Sequence, residues 1–224
     1  MKSQIYLSLL VIFGLNFITA QEKKFDTTYR PNNYALKVEK FRSFPNSKED
    51  IIFLGNSITE YIHWNELLQL PRARNRGISG DTTYGILERL DEVTEGQPAK
   101  IFLLIGINDI SRNFPDKLIL RNYRKIIERI KTESPETEIY VQTILPVNNT
   151  FTKYKNHYNK DEHILHINNE LKLLAEEYHL NLIDLHPYFL DDTKRLDSAY
   201  TEEGLHLNAA GYQHWAELLK PYIN

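Results

Sequence analysis

From Asp50 onward, short apolar runs alternate with longer segments of helical period. The runs are IIFLG at 51–55, ARNRGI at 73–78, KIFLLIG at 100–106, EIYVQTIL at 138–145 and LNLIDL at 180–185. Each has the length of a strand, and IIFL and IFLLI are continuously apolar rather than alternating, as in strands covered on both faces. Helical spacing predicts segments near 59–69, 82–93, 116–133, 160–179 and 208–223. In the fourth, Ile164, Ile167, Leu171, Leu174 and Tyr178 step by 3, 4, 3 and 4, giving one apolar stripe with a charged face opposite. Strand and helix repeated in this way predict an α/β fold: a three-layer α/β/α sandwich on a five-stranded parallel sheet with right-handed crossovers.

The chain before Asp50 reads differently. Lys2 precedes an apolar stretch from Ile5 to Ile18, and Thr19-Ala20 precede the polar QEKK, the layout of a secretory leader. The apolar run is shorter than the ~20 residues a membrane span needs, so we expect a signal peptide over 1–20, cleavage near Ala20, export to the periplasm or medium, and no stable membrane anchor afterwards. Residues 21–48 form an N-terminal arm between that leader and a domain over 49–224. In the arm Tyr34, Val38 and Phe41 step by 4 and 3, which predicts one helix.

Removing 20 residues from 224 leaves 204, the size of one α/β domain. Hydrophobic residues at 42% and charged residues at 25% are enough to build a core. With 27 Lys+Arg against 30 Asp+Glu, net charge −3, and no basic block, nucleic acid is not an expected partner. The chain has no cysteine, which removes disulfides, thiolate-bound metals and thiol nucleophiles together. A nucleophile must therefore be oxygen or nitrogen.

Reactive groups of open parallel sheets collect beyond the carboxyl ends of the strands. Asn56-Ser57 follow the first run, Ser79-Gly80-Asp81-Thr82 the second and Ile107-Asn108-Asp109 the third. Ser57 alone reads as a helix N-cap, Gly80 as a turn, Asn108 as a cap and His206, in EGLHLNAAGY, as a loop histidine. Chemistry at Ser57 requires a base, because a serine hydroxyl is inert at neutral pH without one.

GNSIT at 55–59, NRGISGDTT at 75–83, GIND at 106–109 and EEGLHLNAAGY at 202–212 resemble, in order and spacing, the four signature blocks of the SGNH (GDSL-type) serine esterase family. The resemblance spans 55–212, with particular likeness to members related to platelet-activating-factor acetylhydrolase and to carbohydrate O-acetylesterases. It implies a flavodoxin-like sandwich with Ser57 as nucleophile and His206 as general base. It also implies an oxyanion hole formed by Ser57, Gly80 and Asn108, with no metal and no organic cofactor. The family's acid, three residues before the histidine, is usually Asp. Here the position is Glu203, with Glu202 and a backbone carbonyl as the other candidates for orienting the imidazole. Asn56 also replaces a usual Asp. Asp81 and Asp109 are expected to cap or support the neighbouring groups.

The expected activity is hydrolysis of short acyl esters, above all acetyl, on a small-molecule or carbohydrate alcohol through an acyl-enzyme. The alternatives are a lysophospholipase or thioesterase of the same family and a silent carbohydrate-binding relative. The loop 146–159 carries Phe151, Lys153, Tyr154, Lys155, His157 and Tyr158, which fit equally a sugar-stacking surface, an acyl-pocket lining or a plain surface loop. His163, His166 and Glu170 share a helix face that reads as solvated rather than metal-binding. Asn148-Asn149-Thr150 is a formal glycosylation sequon.

Overall fold

The computed structural model describes residues 25–223. The leader expected over 1–20, with its cleavage point, lies outside the described residues. The elements are α1 (Tyr34–Arg42), β1 (Ile51–Gly55), α2 (Ser57–Glu60), α3 (Trp64–Leu67), β2 (Ala73–Gly77), α4 (Thr83–Glu88), α5 (Asp91–Thr94), β3 (Lys100–Leu104), α6 (Ile107–Ser111), α7 (Asp116–Glu133), β4 (Glu138–Gln142), α8 (Asp161–Tyr178), β5 (Asn181–Ile183) and α9 (Ala209–Leu219).

The five strands form one parallel sheet in the order β2-β1-β3-β4-β5. The chain steps outward once, from β1 to β2, then crosses back to β3 and continues the other way. Right-handed crossovers therefore place α2 and α3 on one face and α4, α5, α7 and α8 on the other. The first face carries a row of in-register rings, with Phe53, Phe102 and Tyr140 stacked 5.0 and 4.5 Å apart. Trp64 of α3 stacks on Phe53 at 4.1 Å and meets Trp215 of α9 edge-on, so α9 closes this layer. The other face is covered by the buried stripe Ile119, Tyr123, Ile126, Ile127 and Ile130 of α7 and by Ile164, Ile167, Leu171 and Leu174 of α8. The stripe foreseen in the fourth helix is thus its core face, except that Tyr178 is only partly covered.

Several elements are shorter than their patterns. The segment at 59–69 is two helices, because the Asn75 side chain donates to the carbonyls of Thr59, Glu60 and Ile62 and ends the first one there. The segment at 82–93 breaks around Arg89, whose side chain turns into the interior. β4 ends at Gln142 because Ile144 leaves the ladder to pair, through both its N–H and its carbonyl, with the Asn168 carboxamide. β3 stops at Leu104, and Gly106 at φ +122° starts α6, a helix absent from the periodic reading. In the arm, α1 buries Tyr34, Val38 and Phe41 against Ile78, two residues before Gly80.

The chain reverses direction across the sheet between β1 and β3, and a crevice at the carboxyl ends of the strands is expected at that point. Ser57 and Asn108 stand just beyond those two strands.

Candidate active site

Ser57 is the first residue of α2, and Asn56 ahead of it accepts the Ile58 N–H on its Oδ1 at 3.0 Å. The family-unlike Asn56 therefore serves as a helix cap, with its amide nitrogen buried and without a partner among the described residues. Ser57 Oγ lies 2.9 Å from His206 Nε2, and His206 Nδ1 lies 2.9 Å from Glu203 Oε1. Three groups from two distant stretches thus form one hydrogen-bonded chain. Glu202 is exposed and its carboxylate takes only a long contact from Asn208, so the acid beside the imidazole is Glu203.

The loop that carries the pair is held tightly. The Thr201 hydroxyl donates to the His206 carbonyl at 2.6 Å and accepts the Gly204 N–H at 2.9 Å, while Asn208 caps α9 through the Gly211 N–H. Gly204 sits at φ +81°, and a Cβ there would lie 2.5 Å from the Asn148 carbonyl oxygen. This is a left-handed position with no room for a side chain. Asn148 donates its N–H to the Gly204 carbonyl and Tyr158 its hydroxyl to the Glu203 carbonyl, so the loop 146–159 packs directly on the histidine loop. Asn148 is buried with its amide committed to the Leu196 carbonyl, which leaves the sequon inaccessible in the folded chain.

Burial pushes the His206 imidazole below its ordinary value, and the Glu203 carboxylate opposes that fall. The ring is flanked by Tyr61 and Tyr154, each with its centroid 5.0 Å away. Tyr154 is one of the loop aromatics noted in the sequence. Tyr61, half exposed at the end of α2, was not singled out, and its place one turn after Ser57 was the available signal.

Gly80 occupies a turn at φ +81°. Among the described residues, no hydrogen bond takes the N–H of Ser57 or of Gly80. The turn is fixed from several sides. Glu60 accepts the Ser79 hydroxyl at 2.6 Å and its N–H at 2.5 Å, and Pro31 and Tyr29 of the arm stand 3.3 and 3.4 Å from where a Gly80 Cβ would be. Below it, Asp81 pairs with Arg89 at 3.0 Å, and Arg89 also donates to the carbonyls of Gly55 and Arg76 at the ends of β1 and β2. Glu92 bridges Arg89 and Arg76, and all four charged side chains are buried. None of Arg76, Arg89 and Glu92 was foreseen; the available signal was Arg76 inside a run read as a strand.

The Asn108 Nδ2 donates to the Asp81 carbonyl at 2.9 Å, and its Oδ1 lies 3.1 Å from His157 Nε2. Its second amide hydrogen has no partner among the described residues. Asp109 accepts the Thr83 N–H and hydroxyl, and complete burial pushes it up to about 7. Among the described residues, no three His, Asp or Glu side chains converge as a metal site, and His163 pairs with Asp116 instead of joining His166 and Glu170.

A strand-end serine, an imidazole and a carboxylate in line define a hydrolase site of the acyl-transfer class. The model of the GDSL-like lipase/acylhydrolase family matches residues 53–214, and the chain belongs to that family. It is accordingly a carboxylic ester hydrolase on an α/β/α sandwich. Platelet-activating factor acetylhydrolase IB subunit alpha2 of Rattus norvegicus is 26% identical over 178 residues, covering 77% of this chain and 73% of that one. A Streptococcus pneumonia structure whose name refers to platelet activating factor is 34% identical with a TM-score of 0.79, covering 86% of this chain and 93% of that one. An acetyl xylan esterase shares the fold at 20% identity and a TM-score of 0.67, covering 78% and 100%.

Proposed function

We propose that the protein is an exported serine esterase that removes short acyl groups, above all acetyl, from a carbohydrate hydroxyl. The observation that carries the chemistry is the line Ser57 Oγ, His206 Nε2, His206 Nδ1, Glu203 Oε1, with both contacts at 2.9 Å. In this reading His206 takes the Ser57 hydroxyl proton as Oγ attacks the ester carbonyl carbon. The carbonyl oxygen becomes an anion held by the N–H groups of Ser57 and Gly80 and the unpaired amide hydrogen of Asn108. When the carbonyl re-forms, the C–O bond to the alcohol breaks and His206 returns the proton to that oxygen. Water then repeats the sequence on the acyl-enzyme and releases the acid. Glu203 keeps the proton on Nδ1 and stabilises the imidazolium that forms at each half-reaction.

The alcohol leaves beside His206, between the rings of Tyr61 and Tyr154. Two aromatic faces suit the flat apolar side of a sugar, and Lys153 over the Tyr154 ring adds a donor for hydroxyls. Short acyl groups are supported by Tyr29 and Pro31, which occupy the space beside Gly80. The acetylhydrolase and the acetyl xylan esterase named above agree with acetyl as the group removed. Export rests on the pattern of residues 1–20.

The test is acetate release from acetylated xylo-oligosaccharides beside a series of aryl esters of rising chain length, with fluorophosphonate labelling. Wild-type protein should label, prefer acetyl and release acetate from the sugar, and Ser57→Ala should do none of these while remaining folded. A preference for long acyl chains, or turnover by folded Ser57→Ala, overturns the proposal.

A further inference from the structure

His157 lies in the loop 146–159, far in sequence from Ser57, Gly80, Asn108 and His206, yet its Nε2 meets Asn108 Oδ1 at 3.1 Å. The direction of that bond follows from the other end of the amide. The Asp81 carbonyl, which only accepts, sits 2.9 Å from Asn108 Nδ2, so the nitrogen of the carboxamide must face Asp81 and its oxygen must face His157. A flipped amide would set two oxygens against each other at that distance. Nε2 of His157 must then carry the hydrogen, and Nδ1 is left as a bare acceptor. Nδ1 is buried and has no partner among the described residues, a cost that a histidine kept only for packing has no reason to carry. Burial, with the charges of His206 and Arg112 nearby, pushes His157 down to about 4, so the ring is neutral at ordinary pH and adds no charge beside the imidazolium of the reaction.

Two anchors on opposite ends of a planar amide fix its plane, and with it the direction of the one free N–H. We propose that His157 is the positioning residue of the oxyanion hole: by donating Nε2–H to Asn108 Oδ1, it aims the remaining Asn108 amide hydrogen at the developing anion. The inference rests on the acyl-transfer reading above and extends it to a residue that touches no reacting atom. It also gives the loop 146–159 a role, because Tyr158 from the same loop holds the Glu203 carbonyl. One segment thereby braces the donor side and the base side of the site together.

The test compares His157→Gln with His157→Asn. Both carry a neutral amide, but a Gln N–H reaches the level of Nε2 whereas an Asn amide stops at the level of Nδ1. Steady-state kcat and KM on one aryl acetate are measured for each, alone and in Asn108→Ala, with melting curves and fluorophosphonate labelling. His157→Asn should lower kcat roughly ten- to a hundredfold with KM little changed, the loss expected when a catalytic group is displaced by about an ångström. His157→Gln should keep kcat within a few-fold. In Asn108→Ala both changes should lose their effect, because the amide they orient is gone. Equal losses from Asn and Gln, a loss confined to KM, or losses that multiply with Asn108→Ala overturn this inference while leaving the esterase reading intact. A wild-type chain that neither labels nor turns over overturns both.

Discussion

Replacing Glu203 by Gln is the most informative single change at this site, because it removes a charge while keeping the shape. Glu203 Oε1 accepts both the His206 N–H at 2.5 Å and the ring Nδ1–H at 2.9 Å, and a Gln oxygen can hold both. What is lost is attraction between a carboxylate and the imidazolium that exists only during reaction. For unit charges about 4 Å apart at an effective dielectric near 20, that attraction is about 4 kcal/mol. The side chains are 13% and 14% exposed, so little of this is screened by water. At 1.36 kcal/mol per factor of ten, kcat should fall by roughly 10³-fold. The acid limb of kcat/KM should also move. Burial already depresses the His206 pKa and the carboxylate partly restores it, so removing the charge leaves burial unopposed and shifts the limb to lower pH. The assay is a pH–rate profile on an aryl acetate beside a melting curve. A Gln variant with wild-type kcat and an unmoved limb, or a larger loss from Glu202→Gln, refutes the assignment.

Three further outcomes follow from neighbouring geometry. Gly204→Ala puts a Cβ 2.5 Å from the Asn148 carbonyl at φ +81° and should lower stability by about 2–5 kcal/mol in urea melts, with activity falling as the histidine loop shifts. Asp109, held at about 7 by burial against an ordinary 3.8, keeps a proton in the native state that the unfolded chain releases, so stability should fall as pH rises from about 4 to 7 and level off above. Asp109→Asn removes that slope, and urea melts at several pH values that stay parallel to wild type would sink the argument. Tyr61→Ala and Tyr154→Ala should raise KM for acetylated sugars several-fold and leave small aryl acetates nearly unchanged; equal effects on both substrates would remove the rings from sugar binding.

The sheet was legible because its central strands are covered on both faces, which makes IIFL and IFLL apolar throughout, and because α7 and α8 are long enough for a stripe to show. The groups at the strand ends were legible for a related reason: topology puts Ser57, Gly80 and Asn108 at one edge whatever their side chains do. Glu203 was named as the acid from its place three residues before His206, but Glu202 stayed open, since a choice between adjacent acids depends on the turn at Gly204. α6, at five residues, is too short for any periodicity. The network of Arg76, Arg89, Glu92 and Asp81 was invisible because local sequence reports polarity and not burial: ARNRG reads as a half-wet strand until Arg89 and Glu92, 13 and 16 residues from Arg76, are brought beside it. His157 is the extreme case, with a partner 49 residues off and no pattern of its own.

The buried charges explain why the Gly80 turn can be rigid without being strained everywhere. A carboxylate buried alone would take up a proton or pull in water, and a turn hung on it would move. Arg89 opposes the rise that burial imposes on Asp81 by pairing with it, while its Nη2 closes the carbonyls of Gly55 and Arg76 at the ends of β1 and β2. The strand ends, the turn and the Asn108 amide, which is bonded to the Asp81 carbonyl, are therefore referenced to one guanidinium. Glu60 on Ser79 and α1 on Ile78 hold the turn's near side in the same manner. An oxyanion hole works by having its donors in place before charge appears, so that no reorganisation is needed during the reaction. In the proposed reading that placement is done by groups that never meet the substrate. A side chain such as Arg89 or His157 can consequently govern rate from a position where a reader of the catalytic residues alone would see only packing.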